Sequence, residues 1–194
     1  MNEEERREMA WKQHVESVIK ASNVPRHTQG RGIDALVATD GNRKAFDLVN
    51  DFLDGKIDPP LALLIGIPGV GKTTLAYTAA WSFLENGERV IYYQAEELLN
   101  ELQSYLEDSK AYGQLWARLK AADLVVLDDL AAQNRTPWRD AQLDALVDFR
   151  YRERRPLFMT TNKLDTISER ILDRVKEGAS AVITGESWRG KAKQ

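Results

Sequence analysis

An α/β fold, with a five-stranded parallel sheet covered on both faces by helices, is predicted by three features of this sequence. The apolar run Leu61 to Ile65 stops at Gly66 and is followed by Leu75, Ala76, Ala79, Phe83 and Leu84 at helical spacing. Leu124-Val125-Val126-Leu127 is a continuous apolar run of the kind that buried parallel strands show. From residue 61 onward such runs alternate with helix-period segments, the pattern of βαβ crossovers.

Residues 2–21 mix Glu, Arg and Lys with Met9, Val15, Val18 and Ile19, which predicts a short helix with a thin apolar stripe. It is either a solvated helix packed on the domain or a surface for a partner. Residues 23–39 are turn-rich, with Pro25, Gly30 and Gly32, and read as a linker. From Asn42 to Leu53, the side chains of Ala45, Phe46, Val49, Phe52 and Leu53 share one helical face. Asp54, Gly55 and Asp58-Pro59-Pro60 end that helix and lead into the first strand. Asn86-Gly87 stops the next helix, and Val90 to Tyr93 form a second strand.

Residues 95–106 carry Leu98, Leu99, Leu102 and Leu106 at helical spacing, and residues 111–122 point Leu115, Trp116 and Leu119 inward. After the third strand, Leu124 to Leu127, a helix from Trp138 to Arg154 buries Leu143, Leu146, Val147 and Tyr151. Leu157 to Thr161 is the fourth strand. A short helix from Ser168 to Val175 precedes a last strand, Ala181 to Thr184, and a basic tail. The chain so divides into a short N-terminal helix (1–22), a linker with a lead-in helix (23–60), and a core with its tail (61–194).

A chain of 194 residues suffices for one domain with a sizeable core. A net charge of −3 argues against coating nucleic acid by bulk charge, so any such contact is local. There is no cysteine, which excludes disulfides and thiolate metal sites. His14 and His27 are the only histidines and read as surface residues. The N-terminus (MNEEERREMAWK) is charged, so no signal peptide is expected. No apolar run reaches the length of a membrane span, and the expected compartment is the cytoplasm.

The chemistry concentrates at the strand ends. Gly66 to Thr73 spells G-x-x-x-x-G-K-T between a strand and a helix, where a phosphate loop must sit. Gly66, Gly69 and Gly71 let the backbone turn so that its N–H groups face phosphate oxygens, and Pro68, Val70 and Thr74 complete the binding loop. The helix that opens near Lys72 adds its positive end. Lys72 can reach the β- and γ-phosphates, and the Thr73 hydroxyl can bind Mg²⁺. These residues predict a P-loop NTPase that binds a nucleoside triphosphate.

Asp128 and Asp129 follow the third strand at the ligand-binding edge of such a sheet. Asp128 is the candidate that holds Mg²⁺ through water, and Asp129 is placed to orient or deprotonate the attacking water; the bland alternative is two acids capping a strand. Thr160-Thr161-Asn162 ends the fourth strand, where Asn162 can hold the attacking water or the γ-phosphate, although such residues also end strands for turn reasons. Arg170 and Arg174 are four residues apart and share a helix face. A guanidinium there suits a γ-phosphate carrying transition-state charge, a role worth roughly 10³–10⁵ in rate. The bland alternative, which the finger reading outweighs, is that both arginines pair with Glu169, Asp173 or Glu177 on a solvated helix. The tail Ser187-Trp188-Arg189-Gly190-Lys191 is a nucleotide sensor, a nucleic-acid contact or a frayed basic end.

The set GIPGVGKTTLA, LVVLDDL, PLFMTTN, ERILDRV and ESWRG, in that order across Gly66 to Gly190, resembles the DnaC/DnaI-type helicase-loader and IstB-type transposition-helper group of AAA+ ATPases. The likeness runs over about residues 22–190. It implies an AAA+ core without the C-terminal helical lid, ATP as nucleotide and Mg²⁺ as cofactor. It gives Lys72 and Thr73 to phosphate and Mg²⁺, Asp128 and Asp129 to metal and water, and Asn162 to the sensor-1 position. Arg174 matches the second arginine of the finger motif, which would complete a neighbour's site in an ATP-bound homo-oligomer. Arg189, in Ser-Trp-Arg, matches sensor 2.

The implied function is ATP hydrolysis that loads or remodels a replicative DNA helicase, with single-stranded rather than duplex DNA as the nucleic-acid partner. The alternatives are a transposition helper on duplex DNA and an ATP-binding inhibitory homologue of a loader. Two departures stand out: Ala131 occupies a position where relatives usually have Gly, and only about 20 residues precede the linker where loaders carry a helicase-binding domain. The helix after the second strand, which helps line a DNA path in this group, here carries Glu96, Glu97 and Glu101 and no Lys or Arg.

Overall fold

The computed structural model describes residues 2–30, 38–130, 135–185 and 187. Helix α1 (Glu3–Ala21) begins with a reciprocal cap, in which Asn2 accepts from the Glu5 N–H and Glu5 accepts from the Asn2 N–H. Helix α2 (Arg43–Leu53) leads into strand β1 (Leu61–Gly66), helix α3 (Lys72–Glu85) and strand β2 (Val90–Gln94). Helices α4 (Ala95–Ser104) and α5 (Ser109–Ala121) precede strand β3 (Leu124–Asp128). Helix α6 (Pro137–Arg152), strand β4 (Leu157–Thr161), helix α7 (Glu169–Glu177) and strand β5 (Ala179–Ile183) follow. All pairings are parallel and the order is β2-β3-β4-β1-β5.

Strand side chains alternate between two buried layers, as the period of a strand requires. Ala62, Leu64, Tyr92, Val126 and Phe158 face α1, α2 and α3, in one cluster with Val18, Phe52, Leu75 and Trp81. Leu61, Leu63, Tyr93, Val125 and Met159 face α4 to α7, in a second cluster with Leu99, Leu119, Leu146 and Ile171. Strands β1, β3 and β4 are therefore apolar on both sides, which is why they read as unbroken runs. The predicted α/β architecture, a parallel five-stranded sheet with helices on both faces, is the observed one.

Local differences have physical reasons. Helix α4 ends at Ser104 because Asp108 caps the next helix, accepting from the N–H groups of Lys110 and Ala111, so Leu106 is exposed rather than inward. On α2 the fully packed residues are Ala45, Leu48, Val49 and Phe52, while Phe46 and Leu53 lie at the margin. Strand β5 begins at Ala179 rather than Ala181, because Ala179 and Ser180 already pair with Ala62 and Leu63. Residues 23–30, expected as part of a linker, are docked: Val24 and Thr28 are buried, and the Thr28 hydroxyl accepts from Trp81 Nε1 at 2.8 Å. His14 and His27 are exposed, as expected, and His14 Nε2 lies 2.8 Å from the Gly87 carbonyl.

Candidate nucleotide-binding site

Strand order decides which residues meet. Strand β4 lies between β1 and β3, so the loop after β1, the acids after β3 and the polar end of β4 converge on one edge of the sheet. There they line a cleft of about 550 Å³. Gly71 sits at φ 101°, a left-handed conformation that turns the chain into α3 and is strained for any residue with a Cβ. Gly66 must also be bare, since a Cβ there would fall 2.8 Å from the Ile183 carbonyl oxygen of β5.

Pro68, Gly69, Gly71, Lys72, Thr73 and Thr74 all line the cleft. Gly66 and Val70, also predicted as binding residues, support the loop from behind: Val70 is buried, and its side chain packs toward Gly66. Lys72 is buried with its ammonium turned onto the loop, donating to the carbonyls of Gly66 at 2.7 Å and Ile67 at 3.1 Å. A phosphate entering the loop offers this cation a better acceptor than those carbonyls.

Asp128 is 4% exposed and accepts three hydroxyl hydrogen bonds. Its Oδ2 accepts from Thr73 Oγ1 at 2.9 Å and from the Tyr92 hydroxyl at 2.7 Å, and its Oδ1 accepts from Thr160 Oγ1 at 2.5 Å. The Thr73 bond joins the phosphate loop directly to the end of β3. Thr160 in turn accepts from the backbone N–H of Asp129 at 2.9 Å, and its carbonyl accepts from Leu130 N–H at 2.8 Å. Asp129 is thereby held at φ 52°, a left-handed conformation that Asp tolerates better than most residues. Burial, then the neighbouring Asp128, push its carboxyl above the usual range, and Lys72 partly offsets this. Burial and Asp128 likewise push the Tyr92 hydroxyl far above the ordinary tyrosine range, so it stays a proton donor.

Asn162 lines the cleft beside these groups, and its buried Oδ1 has no hydrogen-bond partner among the described residues. A buried amide oxygen left unpaired is costly, and at a cleft wall it is what a bound water or ligand donor would satisfy. Thr73 and Asp128 supply hard oxygens, which suit Mg²⁺. Among the described residues no three acids or histidines cluster as a self-contained metal cage, so a cation here would share its coordination with nucleotide phosphates and water.

Arg174 is placed elsewhere. It lies on α7 beside a separate surface groove between α5, α6 and α7, bonded to Asp148 of α6 at 3.2 Å and stacked 4.4 Å from the Tyr151 ring centre. Arg170 pairs with the same carboxylate. Arg189 and Ala131 lie outside the described residues.

Three contributors escaped sequence reading. In the sequence Tyr92 is legible only as part of the second strand and Thr160 only as a strand-end polar residue, and nothing singles out Asp148. The available signal for Tyr92 was a tyrosine at a wholly buried strand position, where its hydroxyl needs a partner.

A model of the family described as IstB-like ATP binding protein matches residues 2–194. The chain belongs to that family. It is 27% identical over 156 residues to the replicative helicase loader DnaC of Escherichia coli K12, covering 76% of this chain and 62% of that protein. It is 35% identical over 101 residues to a putative insertion sequence ATP-binding protein of Sinorhizobium fredii, covering 52% of this chain and 33% of that one. The chain thus spans less than two thirds of either relative. The structure of AMPPCP-bound DnaA from Aquifex aeolicus matches with a TM-score of 0.72 at 22% identity, over 80% of this chain and 50% of that one, a likeness of fold. The IstB-like protein described here is accordingly an ATP-binding P-loop protein. No helix among its described residues is long and apolar enough to cross a membrane.

Proposed function

We propose that this IstB-like protein is a cytoplasmic, Mg²⁺-dependent ATPase that acts as an ATP-bound oligomer to load or remodel a replicative DNA helicase on single-stranded DNA. The observation that carries the ATPase part is the Thr73–Asp128 bond of 2.9 Å, which brings phosphate loop and strand-end acid within one cation's reach. The loop N–H groups and Lys72 bind the triphosphate. Mg²⁺, held by Thr73 and through water by Asp128, would neutralise charge on the β- and γ-phosphates. Asp129, with its raised carboxyl, takes the proton of the attacking water, and Asn162 orients that water from the β4 side.

Arg174, turned away from its own chain's cleft, acts on a neighbour's γ-phosphate and makes the oligomer the active form. The helicase partner is supported by similarity to DnaC across 76% of this chain. The family description and the insertion-sequence relative support a second reading, a transposition helper that binds duplex DNA. Sizing-column co-elution with the replicative helicase of the same organism, with and without ATP and Mg²⁺, separates the two. ATP-dependent co-elution is the expected result. Absence of co-elution in either state, together with duplex DNA binding that weakens steeply with salt, moves the assignment to the transposition helper.

A further inference from the structure

We propose that Tyr92 is a positioning residue for the metal side of the site: its hydroxyl holds the Asp128 carboxylate in the orientation that receives Mg²⁺ together with bound nucleotide. The inference rests on the reading of the cleft as an ATP site. Strands β2 and β3 pair with Gln94 opposite Asp128, so Tyr92 stands opposite Val126, two residues back along the neighbouring strand. The length of its ring spans that offset and brings its hydroxyl to 2.7 Å from Asp128 Oδ2. Tyr92 is 5% exposed, and its ring lies 5.1 Å from that of Tyr77, which lines the cleft wall.

The three donors on Asp128 are not equivalent. Thr73 must turn its oxygen lone pairs to the cation when metal binds, and Thr160 also holds the backbone of Asp129. Tyr92 serves the carboxylate without being a candidate metal ligand or a support for the Asp129 corner. Phe would fill nearly the same buried volume, so the hydroxyl is explained by its bonds, of which the one to Asp128 at 2.7 Å is short and the one to the Tyr77 hydroxyl at 3.4 Å is long. Groups that orient metal-binding carboxylates in this way are typically worth about 10–100-fold in metal affinity.

The test is Tyr92→Phe, which keeps the ring and removes one oxygen. Affinity for a fluorescent ATP analogue is measured in chelator and in excess Mg²⁺, and the ratio gives the gain due to metal. In chelator the variant is expected to match the parent within about twofold, while the Mg²⁺ gain falls about tenfold. Tyr93→Phe is the control: it removes a comparable 2.6 Å bond, from Tyr93 to Glu101, on the opposite face of β2, and should leave the gain unchanged. Thermal melting with and without Mg²⁺ and nucleotide provides a second readout of the same coupling. A Tyr92→Phe protein that keeps the parent's full Mg²⁺ gain overturns the positioning role and leaves the ATP site standing. Failure of the parent to bind the analogue at all overturns the site reading itself, and the Tyr92 role with it.

Discussion

Arg174 Nε donates to Oδ1 of Asp148 at 3.2 Å, and this bond holds the candidate finger on the outer groove rather than in its own chain's cleft. The other Asp148 oxygen takes Arg170, so one largely buried carboxylate on α6 fixes both arginines of α7. The Tyr151 ring supports the guanidinium from beneath. This arrangement suits a charge presented to a neighbouring subunit, because its side chain is set before any partner arrives.

Arg174→Ala is therefore expected to bind ATP as the parent does and to lose hydrolysis by about 10²-fold or more. Steady-state turnover and a nucleotide titration check this. Mixing Arg174→Ala with Lys72→Ala should restore part of the turnover, since one variant keeps its phosphate loop and the other its finger. Two inactive variants that stay inactive when mixed would show that Arg174 does not act between subunits.

Asp129 makes a pH prediction whose sign follows from its raised carboxyl. The folded state favours the protonated acid more than the unfolded chain does. Stability is therefore lost as pH rises from the ordinary aspartate value of 3.8 through the raised folded value. Hydrolysis, which needs the ionised base, should appear with an acid limb above that ordinary value. Asp129→Asn should remove turnover and its acid limb while raising the melting temperature at neutral pH, because it relieves the charge beside Asp128. A lowered melting temperature would contradict the electrostatic account.

Asn162→Ala removes a buried oxygen that has no partner among the described residues, so it should not lower the melting temperature, yet turnover should drop about 10–100-fold. ATP affinity should stay within a few-fold of the parent. Turnover equal to the parent's would remove Asn162 from the reaction.

Arg150 predicts a stability effect far from the cleft. It is fully buried on α6 and donates to the carbonyls of Leu119, Ala122, Asp123 and Pro156, at the end of α5 and the entries to β3 and β4. Burial pulls its pKa down to about 9, which leaves it charged at neutral pH. Arg150→Met would strand these carbonyls and should cost about 2 kcal/mol net, read as a lower denaturant midpoint, with nucleotide affinity of the folded protein unchanged.

The phosphate loop, the two acids and the five strands were legible in the chain because each is written in contiguous residues: a glycine spacing, an apolar run, a carboxylate just after it. Periodicity likewise located the helices to within a few residues, apart from the stop before Leu106, which a cap on the following helix decided. The order β2-β3-β4-β1-β5 is not carried by any local period. That order sets Asn162 between the phosphate loop and Asp128. It also sets Tyr92 one strand from Asp128, while the packing of α6 against α7 puts Asp148 under Arg170 and Arg174. These pairs are 22 to 36 residues apart in sequence. Only crossover and register bring them within hydrogen-bonding distance, where a buried polar group must find its partner.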